Sequence, residues 1–301
     1  ADNVSGPFTC NILAFMEQRD LYDQLLATAA AEWHIPDDAP HAPRTLGMWT
    51  PDCYLCPSAP AMTTDSTHNY AGLGVEPDAS KGNYAACWGA STWEDAWLDK
   101  RGMQIQNKAL TNSGKRWRPQ GAFNVCLIDR AGSTGGQNDA KQRGMWKLGH
   151  NLGLKVDRIP DGSSRTLALS EIVGWDSNQD WRGLWIWPGM GCTAFSAFLT
   201  PNSKQRDVID TGGCDKKIPN GNPLKCDTAG PFNGKVYAAA RSQHRSGVNA
   251  AMCDGSAHFF LDKVNEDVWR ALGTIQGAQG VNGEGSPPEA LNRALNPASE
   301  L

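Results

Sequence analysis

The residue types able to do chemistry gather in the second half of the chain. His244 and Asp254 stand with nine residues between them, and Gly255 follows Asp254 directly. Ser246 or Ser256 would complete a Ser-His-Asp trio by type, but the chain holds no G-x-S-x-G elbow. An extended strand would hold His244 and Asp254 roughly 33 Å apart at ~3.3 Å per residue, so the two cannot meet within one hairpin strand. The plainer expectation is that His244 fixes the approach to a strand by backbone hydrogen bonds while Asp254 satisfies turn amides.

A second group lies between Glu171 and Trp187. Glu171, Asp176 and Asp180 offer carboxylates, and a pair of these some 5 to 9 Å apart can act on a glycosidic bond. Trp175, Trp181, Trp185 and Trp187 crowd the same stretch around Arg182, in a chain with 12 tryptophans against 5 tyrosines and 8 phenylalanines. Their rings could stack on a glycan, with Glu171 and Arg182 beside them. The opposing expectation is that the rings are core and that Glu171 and Arg182 form a buried ion pair between strands. Of the metals, calcium suits Asp176 and Asp180 best, because hard cations take clustered oxygens. Neither that stretch nor Asp227 matches a calcium-loop pattern.

Nine cysteines are many for a reducing compartment. Cys53-x-x-Cys56 could be half of a zinc site, but no second such pair and no His-x3-5-His accompanies it. Disulfides in a secreted protein are the better reading. Cys214 and Cys226 bracket a loop of Pro, Gly, Asn and Lys that has no core of its own, so they are the expected pair. The odd count leaves at least one free thiol, and Cys253 is expected to be buried and inert.

These residues need elements to position them. Asp254-Gly255-Ser256 lies between two runs of apolar and small residues, Val248 to Cys253 and Ala257 to Leu261, which predicts a β-hairpin. Alternation puts Val248, Ala250 and Met252 on one face and Asn249, Ala251 and Cys253 on the other, both covered, with the hairpin at the centre of a sheet. Asp262 or Asn265 then caps a short helix burying Val268, Trp269 and Leu272. Residues 8–33 read as an amphipathic helix packed on that sheet, with Asp20 placed to start a further set of turns. Thr166–Val173 and Leu184–Trp187 read as strands, Phe123–Asp129 has strand character, and a short strand opens at Asn69-Tyr70. Residues 81–121 read as a loop-rich insertion over the core, with a helix near Trp93–Lys100. The fold class is α+β: one head over residues 1–280 and a tail over 281–301.

The H-x9-DG spacing, its RSQHRSGVN lead-in and its VWRALGT exit resemble a prepilin-like secreted family with that C-terminal signature. FMEQRDLYDQL (15–25), YLCPSAP (54–60), HNYAGLG (68–74), PDGSSRTLALSE (160–171), RGLWIW (182–187) and FLTPNS (198–203) match it in order. The family is catalogued mainly as a domain of unknown function and sometimes, loosely, as solute-binding. The resemblance implies a pilin-like head, with His244, Asp254 and Gly255 as its structural motif and other pilin-like subunits as partners. Members normally begin with a cleavable leader and a long apolar helix, and this sequence opens at Ala1 without either. The expectation is therefore a head with little drive to polymerise and an apolar strip near Phe8 and Ile12.

Net charge is −4 without a basic block, which argues against nucleic acid. No stretch approaches ~18 uninterrupted apolar residues, so nothing in the sequence reads as a membrane span. Two functions remain in view. One is a non-enzymatic pilin-like or pseudopilin-like subunit, extracellular or on the cell surface. The other is a module binding or acting on cell-surface polysaccharide through Trp175, Trp181 and Trp185.

Overall fold

The computed structural model describes residues 7–29, 50–59, 80–90, 121–123, 155–177, 179–187, 189–210, 212–229 and 236–275. The expected strands at Asn69-Tyr70 and beyond Phe123, the helix near Trp93 and the tail lie outside them. The architecture is α+β. Helices α1 (Phe8–Ile12), α2 (Arg19–Ala29) and α3 (Glu266–Leu272) accompany seven strands. These are β1 (Tyr84–Cys87), β2 (Leu167–Glu171), β3 (Ala194–Phe195), β4 (Asp207–Asp210), β5 (Cys226–Ala229), β6 (Gly247–Met252) and β7 (Ala257–Leu261). A five-stranded sheet runs β3-β1-β2-β6-β7, parallel only between β1 and β3, and β4 and β5 form a second, parallel pair. No helix among the described residues is long and apolar enough to cross a membrane.

The predicted hairpin is β6 and β7, turning through Asp254-Gly255. Gly255 takes φ 87°, in the left-handed region that a Cβ penalises. Asp254 Oδ1 accepts from the Ser256 amide at 2.9 Å, as turn chemistry requires. Gly255→Val is therefore expected to cost about 1 kcal/mol or more, and denaturant unfolding of the variant measures it. Val248, Ala250 and Met252 are buried as predicted, but Asn249 is exposed and Cys253 is only half-buried. The hairpin is not central: β7 is the sheet's edge, and of the hairpin's two strands only β6 is paired on both sides. Phe260 reaches inward to Trp269, whose ring lies 5.3 Å away, while Phe259 and Leu261 face outward.

Asn265 caps α3, its side chain accepting from the Asp267 and Val268 amides. Val268, Trp269 and Leu272 are buried in the cluster that also holds β2, β6 and Phe195. Trp269 Nε1 donates to the Leu199 carbonyl at 2.9 Å, which satisfies the one polar atom of that ring.

The single early helix is two helices. Glu17 adopts φ 58°, which no right-handed helix accommodates, so the chain breaks there and α2 starts at Arg19 with Asp20 in its first turn. These helices do not pack on the hairpin. Cys10, Leu13, Leu21, Tyr22 and Leu25 form a second core with Tyr54, Trp181, Leu184, Trp185 and Ile186. Phe15 is left 87% exposed.

Two further expectations are corrected. The stretch from residue 81 does not begin an insertion over the core. It contains β1, paired with β2 and β3 and buried from Ala85 to Cys87. Leu184–Trp187 is a run of turns, with Leu184 alone bridging to Lys81. Leu184, Trp185 and Ile186 are all buried, so apolar content signals burial without the alternation of a strand.

Cys214 and Cys226 are joined, with Cα atoms 5.9 Å apart, and the bond ties the 214–226 loop to the first residue of β5. Reduction is expected to destabilise the fold by about 3 kcal/mol in the chain-entropy model. Thermal unfolding with and without reductant, checked by non-reducing peptide mapping of that pair, reads it directly.

Candidate functional site

The chemistry predicted for residues 171–187 is consumed by the fold. Trp181 and Trp185 are buried, and Trp175 and Trp187 are partly so. Trp185 packs on Tyr54, with ring centroids 5.8 Å apart, and its carbonyl accepts from Thr9 Oγ1 of α1. A ring closed in on both sides offers no face to a sugar. The stacking platform is thus the seat of the chain's own N-terminal helices.

Arg182 does not pair with Glu171. Its guanidinium is fully buried and binds Asp180 and Asp207, the latter at 2.8 Å. Asp207 also takes Arg241 at 2.8 Å, so two arginines and two aspartates close a charge-balanced network at the start of β4. Burial alone would push the Asp207 carboxyl up, but Arg241 and Arg182 together hold it below its ordinary range. Asp180 spends its oxygens on Arg182 and on the Trp175 amide. Its carboxylate is therefore not available for the calcium expected with the exposed Asp176.

Glu171 turns instead to His244 and Cys56. Its Oε1 lies 2.8 Å from His244 Nε2 and accepts from Cys56 Sγ at 3.3 Å, and the thiol is 3.6 Å from the same ring nitrogen. The pairs span 115 positions between Cys56 and Glu171 and 188 between Cys56 and His244. Spacing alone could not bring these residues together. Each is positioned by a separate element. Glu171 ends β2 opposite Tyr84 of β1, and its Oε2 accepts from the Asn249 amide of β6 at 2.6 Å. The Cys56 amide donates to Asn83 Oδ1 at 2.9 Å, just ahead of β1. His244 sits on the approach to β6, where its amide donates to Ser242 Oγ at 3.0 Å, and its ring stands edge-on to Phe259 of β7. The expected backbone role of His244 is thus a minor part of what it does.

Cys56 is 8% exposed and Glu171 2%, whereas the His244 side chain is 25% exposed and opens the cluster to solvent. Tyr84 borders the trio. Burial first, then the neighbouring Cys56 and Glu171, push its phenol up to about 12, so it stays neutral. The arrangement does not make a Cys-His nucleophile. In such a pair the base uses one ring nitrogen for the thiol and is oriented through the other, but in this cluster Nε2 faces both thiol and carboxylate. What the geometry offers is three convergent donors of different softness. Asp254 is distant in role, an exposed turn residue bonded to Ser256.

The fold and this site define an α+β protein in which the approach to β6, the end of β2 and an early loop converge on one Cys-Glu-His cluster. The chain belongs to a protein family of unknown function (DUF1559), whose model matches residues 1–267. No curated protein and no solved structure matches it.

Proposed function

We propose that the chain is the globular head of a non-enzymatic pilin-like or pseudopilin-like subunit, held outside the cytoplasm on a cell-surface or secretion-associated filament. The observation that carries this reading is how residues 8–29 are held. They form two helices docked through Thr9 on Tyr54 and Trp185, beside a sheet that ends in a C-terminal hairpin. A filament subunit needs that division, with an N-terminal helical segment anchored to a folded head. The Cys214–Cys226 bond supports an oxidising compartment. The partners are further subunits of the same kind. The polysaccharide reading loses its support, because Trp181, Trp185, Glu171 and Arg182 are all buried.

The test is immunogold electron microscopy of cells producing the chain together with whatever precedes Ala1 in its gene, using antibody to the head. Label along sheared surface filaments is the expected result. Label confined to the medium or the cell interior, with none on any filament, sinks the proposal.

A further inference from the structure

We infer that Cys56 Sγ, Glu171 Oε1 and His244 Nε2 form a binding site for one zinc-type divalent transition ion. The inference stands apart from the filament reading and rests on donor chemistry and geometry. The three atoms lie within 4.8 Å of one another. Bonds of about 2.0 to 2.3 Å at tetrahedral angles place such donors about 3.4 to 3.6 Å apart. The observed separations are 3.3 Å for Cys56–Glu171, 3.6 Å for Cys56–His244 and 2.8 Å for His244–Glu171. The His244–Glu171 pair must open by roughly half an ångström and the Cys56–Glu171 pair by about 0.3 Å, and His244 is the partly exposed member with room to give.

The donor set also chooses the ion. A thiolate disfavours calcium and magnesium, while thiolate, imidazole and carboxylate together suit zinc and its neighbours. Three protein donors leave a fourth tetrahedral position to water or to a further ligand, as in open zinc sites. The donors are held in advance of any ion. Glu171 keeps its Oε2 on the Asn249 amide, which leaves Oε1 to ligate, and Asn83 fixes the Cys56 backbone.

Charge points the same way. Arg182 and Arg241 balance Asp180 and Asp207 within their own network. The buried Glu171 carboxylate has no Lys or Arg partner among the described residues, only the Asn249 amide, the Cys56 thiol and His244. A divalent ion balances that carboxylate together with the Cys56 thiolate. Binding takes the proton from Cys56 and releases it to solvent, since the thiolate is the ligand. The rival is a trio that is only hydrogen-bonded, with thiol and imidazole both directed at Oε1.

The test uses the whole chain, stripped of metal and titrated with Co²⁺ and then Zn²⁺. One equivalent of Co²⁺ is expected to raise a thiolate-to-cobalt charge-transfer band, which Zn²⁺ then abolishes. Cys56→Ser should remove the band. His244→Asn and Glu171→Gln should weaken Zn²⁺ binding by more than the roughly 10- to 100-fold that loss of an outer-shell partner costs. Glu171→Gln retains an acceptor for the Asn249 amide, and Cys53→Ser, at an exposed thiol, should change nothing. If Cys56→Ser does not fold, mass spectrometry of alkylated wild-type chain replaces it, with Zn²⁺ expected to shield Cys56. No charge-transfer band, a band that survives Cys56→Ser, equal loss in Cys53→Ser, or Cys56 alkylated equally with and without Zn²⁺ overturns the inference.

Discussion

Asp207→Asn is expected to destabilise the protein by about 3 to 5 kcal/mol at neutral pH, the cost of leaving a buried charge uncompensated. Asp207 Oδ2 accepts from Arg182 Nη1 at 2.8 Å and Arg241 Nε at 2.9 Å, and Oδ1 accepts from Arg241 Nη2 at 2.8 Å and the Ala239 amide at 3.0 Å. Asparagine fills the same volume but leaves two buried guanidinium groups facing one carboxylate. It also sets an amide N–H₂ where an acceptor is needed. Denaturant unfolding gives the loss, and a stability within about 0.5 kcal/mol of wild type would sink the account, since changes of that size are ordinary for surface sites. The network also predicts acid behaviour. The unfolded chain protonates Asp207 near the ordinary 3.8, whereas the folded chain holds it ionised to lower pH. Its contribution is therefore complete above that value and drains away as pH falls through the lowered folded pKa. In Asp207→Asn that part of the acid dependence should be absent.

Trp185→Ala is the second large effect, at about 3 to 5 kcal/mol for an aromatic core truncation. Trp185 is among the largest fully buried side chains and shares one core with the N-terminal helices and Tyr54. Beyond global destabilisation, the variant should free residues 8–29, so limited proteolysis should cut there before it cuts the hairpin. Oligosaccharides should leave the unfolding midpoint unchanged in both proteins. A variant of unaltered stability that had lost a measurable sugar affinity would restore the platform reading.

Local signals are legible in the sequence and distant partnerships are not. Asp254-Gly255 carries its own turn geometry, Asn265 its own cap, and the 214–226 loop announces its staple by having few apolar residues to spare. Each of these features is settled within about a dozen positions. The break at Glu17 stays hidden because Ile12, Leu13, Leu21 and Leu25 keep facing one core on both sides of it. Apolar periodicity reports the face and not the continuity of the helix. The Glu171 carboxylate shows the limit most plainly. In sequence its neighbours are Arg182 and Asp180, but β2 ends at Glu171 and the chain turns away to bury Arg182 beside Asp207 at the start of β4. Asp254 is the natural sequence partner to test against His244, yet the partners His244 finds lie in an early loop and at the end of β2. The Cys-x-x-Cys spacing suggests that Cys53 and Cys56 act together, but Cys53 is exposed and Cys56 turns inward.

The docking of α1 on Trp185 also has a consequence in time. Thr9 and Trp185 are 176 positions apart, so during synthesis the first helix is made long before its seat exists. At roughly 5 to 20 residues per second the wait is about 9 to 35 s. Over that interval Cys10, Leu13, Leu21 and Leu25 have none of the Trp181–Ile186 surface to cover them, and β1 is likewise made well before β2 and β3. The fold can close only after Trp185 and β3 have been delivered. Until then the apolar residues of α1 and α2 lack the Trp181–Ile186 part of the core that buries them in the finished fold.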